Sequence, residues 1–222
     1  MPKLRVQINN SKKVFWQNNA MAMLSHIDLV LEKGQVVGLL GRNGCGKSTL
    51  MNIIFGKLKV NAVAHYDRKA IQLHDHLKHQ LVAYLPQEPF MISSGTVVDA
   101  VQMWYPDPED QDKILYEPMI HKIHHVKVNS LSLGERRFLE FMLVIHTYRP
   151  FILLDEPFSM LAPLQIERVK EIIKTVKPRR GILMSDHYYD NVLEMSDICY
   201  ILKESTLVAV ENEEHLRNNL YI

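Results

Sequence analysis

Nine consecutive residues, Gly41 to Thr49 (GRNGCGKST), hold three glycines, one lysine and two hydroxyls. Gly41, Gly46, Lys47 and Ser48 satisfy the spacing G-x-x-x-x-G-K-[ST]. Those residue types suit a polyphosphate. Glycines let successive backbone N–H groups turn toward phosphate oxygens with no Cβ in the way. Lys47 brings a full positive charge to the outer phosphates, and the Ser48 hydroxyl is a ligand for Mg²⁺. A second stretch, FILLDEP (Phe151 to Pro157), ends an apolar run in two acids. Asp155 suits Mg²⁺, held directly or through water, and Glu156 suits a base that polarises an attacking water. Alone, the first stretch also reads as a glycine turn at a helix start and the second as an Asp-capped turn. Together they explain each other as two halves of one nucleotide site.

Such residues need elements to bring them together. VVGLL (Val36 to Leu40) reads as a strand buried on both faces, placed directly before the glycine loop. Lys47 to Phe55 reads as a helix ending at Gly56, so its positive N-terminus faces the phosphates. The buried-strand pattern returns at LVAYL (81–85), FILL (151–154), GILMS (181–185), ICYIL (198–202) and LVAV (207–210). LRVQI (4–8) and HIDLVL (26–31) alternate as half-buried strands do, and Ile166, Val169, Ile172, Ile173 and Val176 have helical spacing. Strands alternating with helices predict an α/β fold with a mostly parallel core sheet, which binds ligands at the carboxyl ends of its strands. Residues 88–130 carry four prolines and no buried-strand signal. They read as a small, partly helical lobe inserted in one domain spanning residues 1–222.

The chain has 222 residues, 47% of them hydrophobic, enough for a full core. Lys plus Arg number 26 against 25 Asp plus Glu, so the net charge is +1 and no nucleic-acid partner is expected. The two cysteines are Cys45, inside the glycine loop, and Cys199, which argues against a disulfide framework and for a reducing compartment. The N-terminus lacks the apolar run of a signal peptide, and no segment is long and apolar enough to span a bilayer. Work at a membrane would need a second chain. The histidine groups 74, 76, 79 and 121, 124, 125 lack the cysteine or carboxylate spacing that would support zinc, and PDPEDQD (106–112) reads as a solvated turn, not a calcium loop.

Further along, YLPQ ends in Gln87, LSLGE runs from Leu131 to Glu135, and SDHYYD carries His187. With the glycine loop and the DEP triplet, in this order, the chain resembles the nucleotide-binding subunits of ABC transporters over nearly its full length. The texture of LSLGERR, ILLDEPF and SDH is similar to the lipopolysaccharide-export and branched-chain amino-acid branch. The resemblance implies a P-loop NTPase core with an N-terminal antiparallel β subdomain. It implies an ATPase with ATP and Mg²⁺. Gly41, Asn43, Gly44, Cys45, Gly46, Lys47, Ser48 and Thr49 would surround the phosphates. Ser48, Gln87 and Asp155 would serve the metal, Glu156 would be the base and His187 would contact the γ-phosphate. Phe15 or Trp16 would stack on adenine. Ser132, Gly134 and Glu135 would complete the nucleotide site of a second cassette, in a homodimer or cassette heterodimer formed on ATP. An integral membrane subunit would be the partner, which places the chain in the cytoplasm at the inner face of the membrane.

LSLGE also reads locally. Ser132 and Glu135 form a capping box for a helix carrying Phe138, Phe141 and Ile145. Two positions depart from the family pattern: Leu133 replaces the first signature glycine, and Ala162 stands where an aspartate follows the DEP triplet. Two other functions compete with this one. A soluble ABC-type ATPase in a non-transport process would bring a second cassette, a coiled coil or a basic tract. A degenerate ATP-binding module would lack some of Lys47, Glu156 and His187, all of which are present. Phe90, Met91, Met103, Trp104 and Tyr105 bring large apolar groups to the small lobe and are expected to offer a partner surface.

Overall fold

The computed structural model describes residues 2–10, 14–16, 20–22, 24–58, 60–73, 80–91 and 94–210, without the side chains of 9, 10, 14–16 and 20–22. Its centre is a six-stranded sheet. The strands are β5 (Val36–Leu40), β8 (Val82–Leu85), β9 (Phe151–Asp155), β10 (Gly181–Ser185), β11 (Ile198–Lys203) and β12 (Thr206–Ala209). Their order is β12-β11-β5-β10-β9-β8, parallel throughout except for antiparallel β12 at one edge. The expected mostly parallel sheet is therefore present, with the last strand reversed.

Side-chain alternation divides the core between the two faces of this sheet. Val36, Leu40, Ile152, Leu154, Ile182 and Met184 face one cluster with α5 (Leu133–Ile145), α6 (Pro163–Val176) and α7 (Tyr189–Met195). Val37, Leu39, Phe151, Leu153 and Leu183 face the other, with α1 (Lys47–Ile54) and a second sheet. Both faces being covered is why these strands read as unbroken apolar runs. The second sheet is antiparallel and four-stranded. It joins β1 (Lys3–Asn10), β4 (Ser25–Glu32), β6 (Ala62–Tyr66) and β7 (Lys69–Ile71) in the order β4-β1-β6-β7. This is the expected antiparallel β subdomain. A two-stranded ribbon, β2 (Val14–Trp16) with β3 (Ala20–Ala22), places Trp16 opposite Ala20.

Among the described residues of 88–130 are three short α-helices, α2 (Val97–Trp104), α3 (Pro108–Leu115) and α4 (Pro118–His121), and a 3-10 turn at Val128–Ser130. Thr96 and Asp99 form a capping box at the start of α2. PDPEDQD does not form the turn expected for it. Asp107 accepts a hydrogen bond from Glu109 N at 2.9 Å and Pro108 takes the first helical position, so the acids sit in the first turn of α3. Aspartate before proline is a helix start as much as a turn signal, because the missing N–H is unneeded there. Among the described residues no helix is long and apolar enough to cross a membrane.

Candidate functional site

The glycine loop connects β5 to α1, and Gly46 caps α1 at φ +110°. A Cβ is strained in that conformation, so glycine is what lets the loop turn into the helix with its N–H groups facing inward. Lys47 is buried, and its Nζ donates to Gly41 O at 2.7 Å and Arg42 O at 3.3 Å. The ammonium therefore folds back over the loop that the backbone N–H groups line. Asn43 and Gly44 are exposed, while Cys45, Ser48 and Thr49 are half-buried. Cys199 is buried away from this loop in β11, and burial pushes its thiol up to about 12.

β9 and β10 run parallel in the same sheet, and their carboxyl ends bring the acids to the loop. Asp155 is 1% exposed. Its Oδ1 accepts from Ser185 Oγ at 2.9 Å, and its Oδ2 accepts from the Tyr84 hydroxyl at 3.0 Å. Asn52 Nδ2 donates to Ser48 O at 2.7 Å and to the Tyr84 oxygen at 3.4 Å. One chain of polar contacts thus links α1, β8, β9 and β10. Burial, together with the Asp155 charge, holds the Tyr84 phenol protonated far above its ordinary range.

Glu156 is 6% exposed and has φ +54°, a left-handed conformation that costs a non-glycine residue on the order of 1–3 kcal/mol. Its N–H donates to Ser185 O at 2.7 Å, and its Oε1 lies 2.8 Å from His187 Nε2. Burial raises the Glu156 carboxyl above the usual range. His187 and Lys47 oppose that rise, while Asp155 and Asp186 add to it. Asp186 accepts from Phe158 N at 2.9 Å and Tyr188 N at 3.0 Å, tying the turn after Glu156 to the turn that carries His187.

Lys47, Asp155, Glu156 and His187 are therefore brought together. Gln87 is exposed just beyond β8, three residues after Tyr84. The residue that binds its turn to the acids is Arg137 on α5. This buried guanidinium donates to Pro86 O at 2.7 Å and to the backbone oxygens of Asp155 and Glu156. Beside it Glu140, also buried, accepts from Phe90 N at 3.1 Å and Met91 N at 3.3 Å. Reading the sequence missed Tyr84, Arg137 and Glu140. The available signal was an Arg–Glu pair three residues apart on the otherwise apolar face of α5.

Ser132, Gly134 and Glu135 form a separate group. Ser132 caps α5, accepting from Glu135 N at 3.3 Å, while Glu135 Oε2 accepts from Ser132 N at 2.8 Å. That capping box holds Glu135 ionised to lower pH than usual. A methyl group on Gly134 would sit 2.7 Å from Met160 O and 3.1 Å from Gln165 Oε1, so the helix packs directly on the segment after β9. Leu133, Met160 and Ala162 face solvent nearby. The side chains of Phe15 and Trp16, and His74, His76 and His79, lie outside the described residues. His121 and His124 stack with ring centroids 4.8 Å apart. Among the described residues no group of three metal-binding side chains occurs.

The lobe's apolar groups divide. Met91 and Tyr105 are buried, Tyr105 with its hydroxyl on Leu143 O, and they belong to the core. Phe90 packs on Trp104 with ring centroids 5.4 Å apart. Met103, 60% exposed, and Trp104 rim a groove of about 320 Å³ that also takes in Phe90, Met91, Ser94, Asp99 and Ala100.

The family model described as "ABC transporter" matches residues 24–159. The chain is 27% identical over 223 residues to the lipopolysaccharide export system ATP-binding protein LptB of Acidithiobacillus ferridurans, covering 95% of this chain and 92% of that protein. It is 30% identical over 192 residues to an uncharacterised ABC transporter ATP-binding protein of Rhizobium meliloti (strain 1021), covering 81% and 71% respectively. In three dimensions it superposes on the ATP-binding subunit of an ABC transporter with a TM-score of 0.81, at 21% identity and with 97% and 92% of the two chains covered.

Proposed function

We infer the roles of individual residues from one premise: the chain belongs to the ABC transporter family. It is an ATP-binding and ATP-hydrolysing subunit of an ABC transporter. Subunits of this kind dimerise and work with membrane transporter subunits. This chain acts as one cassette over residues 1–222, peripheral at the cytoplasmic face of the membrane through such a partner.

The observation that carries the proposed chemistry is the Glu156–His187 contact at 2.8 Å beside the buried Lys47. Lys47 and the N–H groups from Gly41 to Thr49 bind the phosphates of ATP. Glu156 accepts the proton of the attacking water through Oε1. A carboxylate raised by burial is a stronger base than a free one, and a base works best with a pKa nearer the operating pH. His187 holds that carboxylate in place and would contact the γ-phosphate.

The donors near the loop are all oxygens: the Ser48 hydroxyl, the Gln87 amide and the Asp155 carboxylate. A hard-oxygen set with a single carboxylate fits Mg²⁺ completed by water and phosphate. Both Asp155 oxygens already accept protein hydrogen bonds, so this carboxylate suits the role of holding a metal-bound water. Ser48 and Gln87 would be the direct ligands. When bound, Mg²⁺ neutralises charge building on the β- and γ-phosphate oxygens.

Ser132, Gly134 and Glu135 present the N-terminus of α5 to the nucleotide held by a second cassette. The groove at Phe90 and Trp104 receives an apolar segment of the membrane subunit. The test is steady-state ATP hydrolysis together with nucleotide binding. Glu156→Gln and His187→Ala should lose turnover while keeping affinity for ATP. Parental turnover in Glu156→Gln would remove Glu156 from the proposed role.

A further inference from the structure

We propose a second ligand site, for a small organic anion with an apolar body, in the cavity between α3, the end of α5 and the end of α6. The cavity holds about 420 Å³. Its apolar floor is Ile145, Val176 and Pro178, and its polar wall is Lys113, His146, Tyr148, Arg179 and Arg180. Basic groups from three separate parts of the fold converge here.

Their positive charge is poorly compensated. Asp110, the nearby carboxylate, already accepts from Lys113 Nζ at 2.6 Å and from the Tyr148 hydroxyl at 2.5 Å. Arg180 donates from Nη2 to Thr147 O at 2.9 Å and from Nη1 to Arg179 O at 3.4 Å, and its Nε is buried without a partner among the described residues. Burial and the charge of Arg179 both lower its pKa, and no carboxylate offsets them among the described residues. Burial, and after it Lys113, lowers the His146 pKa from its ordinary value; Glu117 raises it, Arg180 lowers it by less, and Asp110 raises it least. Arg180 is half-buried, and a partly desolvated cation with no carboxylate partner among the described residues is destabilising. A phosphate or carboxylate group supplies the missing charge, and the floor takes the apolar remainder.

The place is remote from ATP. Arg180 immediately precedes β10 and Tyr148 lies just ahead of β9, whereas Asp155 and Ser185 end those strands at the glycine loop. Five residues of strand separate the two by about 17 Å.

The test uses the full chain with ADP and Mg²⁺ saturating the glycine loop, and phenyl phosphate as the probe in isothermal titration calorimetry. Saturable binding with a Kd of about 1 mM or tighter is expected, at least about tenfold tighter than for neutral benzyl alcohol. Arg179 is exposed, so Arg179→Glu should fold and should weaken binding at least about tenfold. Lys47→Ala should leave it unchanged. An anion beside His146 opposes the lowering by Lys113 and Arg180, so binding should take up protons, and His146→Gln should abolish that uptake. Absent saturation, equal affinity for benzyl alcohol, binding indifferent to Arg179→Glu, or binding lost with Lys47→Ala would overturn the proposal. Binding without proton uptake would contradict the placement of the anion beside His146.

Discussion

Tyr84 connects the strand that leads to Gln87 with the acid at the end of β9. Its hydroxyl donates to Asp155 Oδ2 and receives Asn52 Nδ2. Removing it leaves Asp155 one partner short in a buried place. A lost hydrogen bond to a charged group is worth on the order of 1.5–3 kcal/mol. Tyr84→Phe is expected to lower stability by about that much and to raise the Mg²⁺ concentration needed for half-maximal turnover, with ATP affinity in the absence of metal unchanged. An unaltered Mg²⁺ dependence would reduce Tyr84 to a packing residue. Glu156 gives a pH prediction. Its folded pKa is raised, so turnover should fall as pH drops through a value above the ordinary 4.5 of a glutamate. The same shift bears on stability. A raised folded pKa gives stability that is present below the unfolded value and lost as pH rises through the folded one. Glu156→Gln should therefore melt higher than the parent near pH 8, and this advantage should vanish near pH 4. Differential scanning calorimetry at the two pH values reads the difference directly, and an equal offset at both would contradict the assigned shift.

At the scale of elements, α5 is what joins the nucleotide site to the lobe. Arg137 holds Pro86, Asp155 and Glu156 by their backbone oxygens, and Glu140 holds the N–H groups of Phe90 and Met91. Arg137→Met would take the guanidinium from beside Glu140, which keeps Phe90 N, Met91 N and Arg136, and from the buried carbonyls of Pro86 and Asp155, a loss on the order of 3–5 kcal/mol. The urea midpoint should drop accordingly. Arg137→Lys should recover only part, because an ammonium cannot reach carbonyls on both sides as a planar guanidinium does. Full recovery by lysine would mean that charge alone matters. How much of this was legible in the sequence follows from the range of each contact. β5, β9 and β10 were readable because both faces are covered, so the apolar run is local. β6 and β7 were not, since Val63 faces solvent and Lys69–Ile71 is an exposed or half-buried edge. The glycine loop, DEP and the capping box at Ser132 were legible as short-range patterns. Arg137, Tyr84 and Glu140 were not, because the partners described for them above lie 18 to 71 residues away. The start of α3 was misread because Asp-Pro serves turns and helix starts alike.

The whole molecule is built around two ends of one sheet. The carboxyl ends of β5, β9 and β10 carry the proposed nucleotide site, and the amino ends of β9 and β10 border the basic cavity. Between them α5 leads sideways to the Phe90–Trp104 groove. An aromatic anchor in such a groove contributes on the order of 2–4 kcal/mol to assembly. Phe90→Asp should therefore abolish capture by the membrane subunit in a pull-down while preserving the melting profile and ATP affinity of the isolated chain. Undiminished capture would locate the docking surface elsewhere. In the mechanism proposed above, this chain closes on a second cassette around ATP and opens by hydrolysis through Glu156. The direct measurement is size-exclusion chromatography with light scattering on Glu156→Gln, with and without ATP and Mg²⁺. The expected result is a monomer without nucleotide, a stable dimer with ATP, and a monomer again when ADP replaces it. A Glu156→Gln chain that binds ATP and stays monomeric would rule out closure around ATP.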